Sequence, residues 1–289
     1  MSLGSWLSDA LARLVLDPLF QRMAHPPPRQ PRALPPDLAS RAEDLTIPGV
    51  TMPMKAWLVQ AAAPLGLAVF VHGWSSDGGR MAPLARHLVD ASVSCLLLDL
   101  PGHGRTGRTQ TYHAALMVED LRAVADYLAA RQDLPSGTAL LGYSFGGVGA
   151  IVSAATDPRW AALVVMATPL GPMEATEIYL ERKGLPARKL RRPLHRVAQR
   201  IVGVDPDTFT GAHHLPSLRV PALFVHGTLD EVVPPAHAEG LHAAAPAGRA
   251  ELVLVEGVGH DALLADAAAG RRVAGFVANA LSAVTPAAP

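Results

Sequence analysis

The sequence predicts an α/β protein built on a mostly parallel, doubly wound sheet. Three observations carry that prediction. Short, fully apolar runs of strand length recur along the chain, among them Leu67 to Val71, Val93 to Leu98 and Leu163 to Met166. Helical stretches separate them, and a strand buried on both faces reads as such a continuous run rather than as an alternation. Reactive polar residues stand just past the ends of these runs: His72, Asp99, Ser144, Asp230 and His260. Ligands bind outside the carboxyl ends of the strands in such sheets, so these five residues fall along one rim. The chain has 289 residues, 49% hydrophobic and 17% charged, which suits one large domain or two small ones with an ample core.

Residues 1–25 read as an N-terminal amphipathic helix. Leu3, Trp6, Leu7, Ala10, Leu11, Leu14 and Val15 keep the i, i+3, i+4 rhythm. Asp9 and Arg13 interrupt the apolar core that a signal peptide needs. The helix also lacks the basic excess that draws a helix to a membrane surface, so docking on its own domain or on a second subunit is expected. Residues 26–41 read as a Pro-rich linker: six prolines between 26 and 36 favour extended geometry and a semi-rigid spacer. From residue 42 the chain alternates. Strands are expected over 55–59, 67–71, 93–98, 138–141, 163–166, 222–225 and 251–255. Helices are expected over 81–88, 116–130, 148–155 and 263–281. Residues 171–216 break the rhythm, and their length exceeds the dozen or so residues that a crossover requires.

The apolar run Thr138 to Leu141 leads into Gly142-Tyr143-Ser144-Phe145-Gly146-Gly147, and a small-residue helix follows. A Gly-x-Ser-x-Gly turn between strand and helix holds its serine strained and exposed at the top of a sheet. The flanking glycines remove Cβ atoms that would clash there. A serine hydroxyl is a poor nucleophile near neutral pH; it needs a base beside it and an acid to orient that base.

The chain resembles the α/β-hydrolase superfamily from about residue 42 to its C-terminus. The motifs that carry the resemblance are His72-Gly73-Trp74, Asp99-Leu100-Pro101-Gly102-His103-Gly104, the Ser144 turn, Gly227-Thr228-Leu229-Asp230-Glu231-Val232-Val233-Pro234 and Gly257-Val258-Gly259-His260. They look most like the small esterase, lipase and S33-type peptidase group. The resemblance implies a sheet of about eight strands, with 42–289 as the α/β-hydrolase domain and 171–216 as a small helical lid. It implies Ser144 as nucleophile, His260 as general base and Asp230 as orienting acid, with Glu231 the residue most easily mistaken for it. Backbone N–H groups of Trp74 and Phe145 would form the oxyanion hole. The side chains of Trp74, Phe145 and Tyr179 are candidate substrate contacts, core packing being the alternative. His72 would brace its loop, and Asp99 would begin a structural loop.

Composition narrows the partners. Lys and Arg total 25 against 25 Asp and Glu, so no global field recruits nucleic acid. The one cysteine, Cys95, lies in a predicted strand and reads as a buried thiol. No Cys/His cluster has metal-ligand spacing, so no metal and no cofactor are expected. The expected partner is a small-molecule ester or acyl substrate, the expected compartment the cytoplasm, and the oligomeric state is open. A carboxylesterase acting through a Ser144 acyl-enzyme is the expectation. The same constellation serves a thioesterase, a peptidase or a C–C bond hydrolase, or a binding protein that keeps the fold without turnover. The basic residues of 171–216, Arg191 and Arg192 among them, would face solvent or hold an anionic substrate group.

Overall fold

A computed structural model of the chain describes residues 14–27, 29–109 and 111–284. Among the described residues eight strands form one sheet. They are β1 (Ala42–Ile47), β2 (Met54–Val59), β3 (Gly66–Val71), β4 (Val93–Asp99), β5 (Thr138–Tyr143), β6 (Trp160–Met166), β7 (Ala222–Gly227) and β8 (Ala250–Val255). Their order is β1-β2-β4-β3-β5-β6-β7-β8, with β2 antiparallel to β1 and β4 and every other pair parallel. The helices are α1 (14–23), α2 (Pro36–Ala39), α3 (Ala82–Asp90), α4 (Ala114–Ala129), α5 (Phe145–Thr156), α6 (Pro172–Arg182), α7 (Ala187–Val202), α8 (Gly211–His214), α9 (Ala236–Ala244) and α10 (Ala267–Val284). The helix expected over 263–281 is two elements: a 3-10 turn at Asp261–Ala265, then α10, whose first turn is capped by Asp266 accepting the Ala269 N–H at 2.8 Å.

Side chains alternate between two cores, one on each face of the sheet. Ala68 and Phe70 of β3, Cys95 and Leu97 of β4 and Leu141 of β5 meet α3 and α10. Val69 and Val71, Leu96 and Leu98, and Leu140 meet α4 and α5 on the other face. Burial pushes the Cys95 thiol well above its ordinary range, so it stays protonated. The chain leaves β3 toward β4 on one side and returns to β5 on the other. The strand order therefore switches between β3 and β5, and a crevice opens at their carboxyl ends.

The N-terminal segment departs from the expected spacer. Leu3, Trp6, Leu7, Ala10 and Leu11 lie outside the described residues. From α1 onward, however, the chain lies along the body. Leu16, Phe20 and Ala24 form a third apolar cluster with Met173 and Leu180 of α6 and Leu194, Val197 and Ala198 of α7. Pro26 packs on Gly102, where a Cβ would come within 2.7 Å of its ring. Arg32 pairs with Asp77 at 3.0 Å, and Leu34 and Leu38 enter the first core. Proline geometry makes the stretch extended, but Arg32, Leu34 and Leu38 fasten it down.

Candidate active site

Ser144 ends β5 and precedes α5 with φ 53° and ψ −128°, a conformation that a non-glycine residue adopts only under strain. Its own N–H donates to the Met166 carbonyl at 2.8 Å, and its carbonyl accepts from the Gly147 N–H at 2.9 Å. Two close approaches explain the flanking glycines. A Cβ on Gly142 would lie 2.8 Å from the Ala150 Cβ, and one on Gly146 would collide with the backbone carbonyls of Val71 and His72. Gly73 sits against the serine, its hypothetical Cβ 2.9 Å from the Ser144 Cβ. The turn after β3 thus flanks Ser144 on one side, with Phe145 as the first residue of α5 on the other.

His260 bridges two groups. Its Nε2 is 3.2 Å from the Ser144 Oγ, and its Nδ1 is 2.7 Å from the Asp230 Oδ2. Asp230 is 5% exposed and held by four donors. The N–H groups of Val232 and Val233 each donate to Oδ1 at 2.8 Å, while Oδ2 faces His260 and, at 3.1 Å, the Nε2 of His226. Burial alone would raise the Asp230 pKa. Hydrogen bonds from His226 and His260 outweigh it and hold the carboxyl well below the usual carboxylate range. Glu231, the neighbour that competes with Asp230 in the sequence, is exposed.

Three contributors to this arrangement are not among the candidates read from the sequence. His226 is fully buried in the apolar run of β7; a histidine inside such a run is the signal that marks it. Its Nε2 also lies 2.8 Å from the Val233 carbonyl, which can only accept, so Nε2 carries the hydrogen. Tyr143 donates its hydroxyl to the His260 carbonyl at 3.1 Å. Arg80 pairs with Asp261 at 2.5 Å beside it, so the exposed Asp261 is not simply solvated.

His72 and Asp99 brace. His72 Nε2 accepts the Leu100 N–H at 3.1 Å, and Nδ1 donates to the Gly73 carbonyl at 2.8 Å. With both nitrogens so engaged the ring is neutral, and burial lowers its pKa to about 4. Asp99 accepts from the Gly78 N–H at 2.7 Å and from Arg105 Nε at 2.9 Å.

A cavity of about 1210 Å³ opens over Ser144 and His260, larger than the ~300–1,000 Å³ of typical ligand pockets. Trp74 and Phe145, edge to face with ring centres 5.5 Å apart, form part of its wall, and Tyr179 of α6 lines it. Of the apolar residues in 171–216, Met173, Ile178, Tyr179, Val202 and Phe209 are among those that line the cavity, whereas Leu180, Leu194 and Val197 are buried against α1. Arg191 is not free to hold a substrate group: it pairs with Glu177 at 2.6 Å and Glu174 at 2.9 Å. Among the described residues one trio has ligand atoms close enough to hold a metal ion, His195, Asp205 and Asp207. His195 Nε2 lies 3.0 and 3.3 Å from the two carboxylates, Asp205 half-buried and Asp207 exposed. No helix among the described residues is long and apolar enough to cross a membrane.

A serine on a strand-to-helix elbow, at the switch point of a sheet with this strand order, is the mark of one class of protein, the α/β hydrolases. The chain belongs to the alpha/beta hydrolase family, whose sequence model matches residues 68–275. It is 27% identical over 245 residues to a pimeloyl-[acyl-carrier protein] methyl ester esterase of Xylella fastidiosa (strain M12), covering 69% of this chain and 89% of that one. It is 27% identical over 260 residues to an esterase of the same name from Stenotrophomonas maltophilia (strain K279a), covering 76% and 94%. Among solved structures it is similar to an esterase of Pyrococcus furiosus, with TM-score 0.69, 17% identity and coverage of 88% and 98%. A membrane phospholipase A described as a bacterial virulence factor shares the fold at TM-score 0.61 and 16% identity, over 99% of this chain and 98% of that one.

Proposed function

We propose that the protein is a serine carboxylesterase. The observation that carries this reading is His260, within hydrogen-bond reach of Ser144 on one ring nitrogen and of Asp230 on the other, beneath a large cavity. Ser144 Oγ attacks the ester carbonyl while His260 Nε2 takes its proton. Asp230 fixes the Nδ1–H tautomer and stabilises the imidazolium. The N–H groups of Trp74 and Phe145 receive the developing oxyanion, and the positive end of α5 adds to them. His260 then protonates the departing alcohol. Water, activated by the same nitrogen, releases the acid and restores Ser144. The segment 171–216 acts as the lid over this site. The relatives named above are esterases, which supports an ester, rather than a peptide or C–C bond, as the bond cleaved.

Ser144→Ala tests the reading. Short p-nitrophenyl esters should be turned over by the native protein, and the variant should keep only the residual ~10³–10⁴-fold acceleration over water that remains when one member of such a constellation is removed. A fluorophosphonate probe should label the native protein and not the variant. Native-like turnover by Ser144→Ala would overturn the assignment.

A further inference from the structure

The cavity over Ser144 is not closed by the body and residues 171–216 alone. Pro18, Phe20 and Met23 of α1 line it together with Met173, Ile178 and Tyr179 of α6, on which α1 packs. Phe20 is 8% exposed, its ring shared between the cavity wall and the third apolar cluster, while Met23 is half-buried. Three fastenings hold α1 in place. Beyond its end the Ala24 carbonyl accepts the Tyr112 N–H at 2.8 Å. Asp17 pairs with Arg200 of α7. The chain after α1 is anchored by Arg32 on Asp77 at 3.0 Å. An element fixed within its length and again just beyond its end, presenting apolar side chains to the cavity that holds the reactive serine, has the properties of a binding wall.

We propose that α1 is the specificity-determining wall of the acyl site, with Phe20 and Met23 setting the length of acyl chain it accepts; this rests on the esterase reading above. A chain running from Ser144 along the wall that α6 and α1 share buries its methylenes against these two side chains. Each methylene so buried is worth about fourfold in kcat/KM. A larger side chain at 23 shortens the accepted chain, and a smaller one at 20 or 23 lengthens it.

The test uses the full chain and the p-nitrophenyl esters of butanoate, octanoate and dodecanoate. Met23→Trp should lower the dodecanoate-to-butanoate ratio of kcat/KM at least about fivefold, and Met23→Ala and Phe20→Ala should raise it. Leu14→Ser, on the exposed side of α1 and off the cavity, should leave the ratio as in the native protein. Should Phe20→Ala fail to fold, the half-buried Met23 pair carries the test. An unchanged ratio in the Met23 variants, with all three esters falling together or not at all, overturns the proposal and reduces α1 to a structural support. If the native protein turns over none of the esters, the esterase reading fails, and calorimetric binding of dodecanoate decides separately. Weaker binding by Met23→Trp than by the native protein then upholds the wall, and equal binding refutes it.

Discussion

Asp230 shows how much of this site is set by groups that never touch a substrate. Its Oδ2 is shared by two histidines, and one of them, His226, reaches His260 through it. A hydrogen bond to a charged group is worth about 1.5–3 kcal/mol. Losing it makes Asp230 more basic and strengthens its hold on the His260 imidazolium. His226→Leu should therefore move the acid limb of the kcat/KM profile to higher pH, while the carboxylate, left with one donor fewer to orient it, should lower kcat roughly tenfold with KM little changed. His226→Gln, which keeps an N–H donor, should recover much of both. A variant that lost Tm but kept the native pH profile would make His226 a packing residue. Asp230→Asn should cost about 10⁴ in kcat by presenting the wrong tautomer to Ser144, and Glu231→Gln should cost little. The reverse order would move the acid by one residue. The Asp230 and His260 candidates were legible because each follows an apolar run by a few residues. Val232 and Val233 were not, because they donate through the backbone, on which side-chain identity is silent.

At the scale of elements, the turn between β5 and α5 tolerates no side chain where it crosses β3. Gly146→Ala would press a methyl against backbone that cannot swing aside, its Cβ within 2.8 Å of the Val71 carbonyl carbon. Activity should fall by more than tenfold, and Tm should drop by several degrees. Gly275, in the middle of α10 with nothing within 4 Å, is the contrast: Gly275→Ala should stabilise by about 0.5–1 kcal/mol in urea unfolding at unchanged kcat. Strands buried on both faces were readable to within one to three residues because their pattern is local. β1 was not read. Glu43 and Asp44 face solvent on this edge strand, which pairs only with β2 and carries the charges that edges use against aggregation. The basic run in 171–216 was legible, but not which of its members are engaged. Arg191 finds its partners 14 and 17 residues back, across the α6–α7 hairpin.

The whole molecule carries its buried histidines as a dependence on pH. Burial lowers His72 to about 4 and His103 to about 3, against 6.5 when exposed. The unfolded chain therefore binds protons that the native state refuses. Their contribution to stability is full above pH ~6.5 and falls as pH drops toward 4, by about 1.4 kcal/mol per pH unit for each histidine. The urea midpoint should decline steadily over that window. His103→Phe, starting lower because its hydrogen bond to the Pro101 carbonyl is lost, should decline less steeply. Equal slopes would mean that His103 titrates normally in the fold.

The docking of α1 also dictates an order of assembly during synthesis. Asp17 and its partner Arg200 are 183 residues apart. At roughly 5–20 residues per second, α1 leaves the ribosome about 10–40 s before α7 exists to receive it. Leu16 and Phe20 spend that interval without their partners. The growing chain is then open to misassociation while α1 waits for α7.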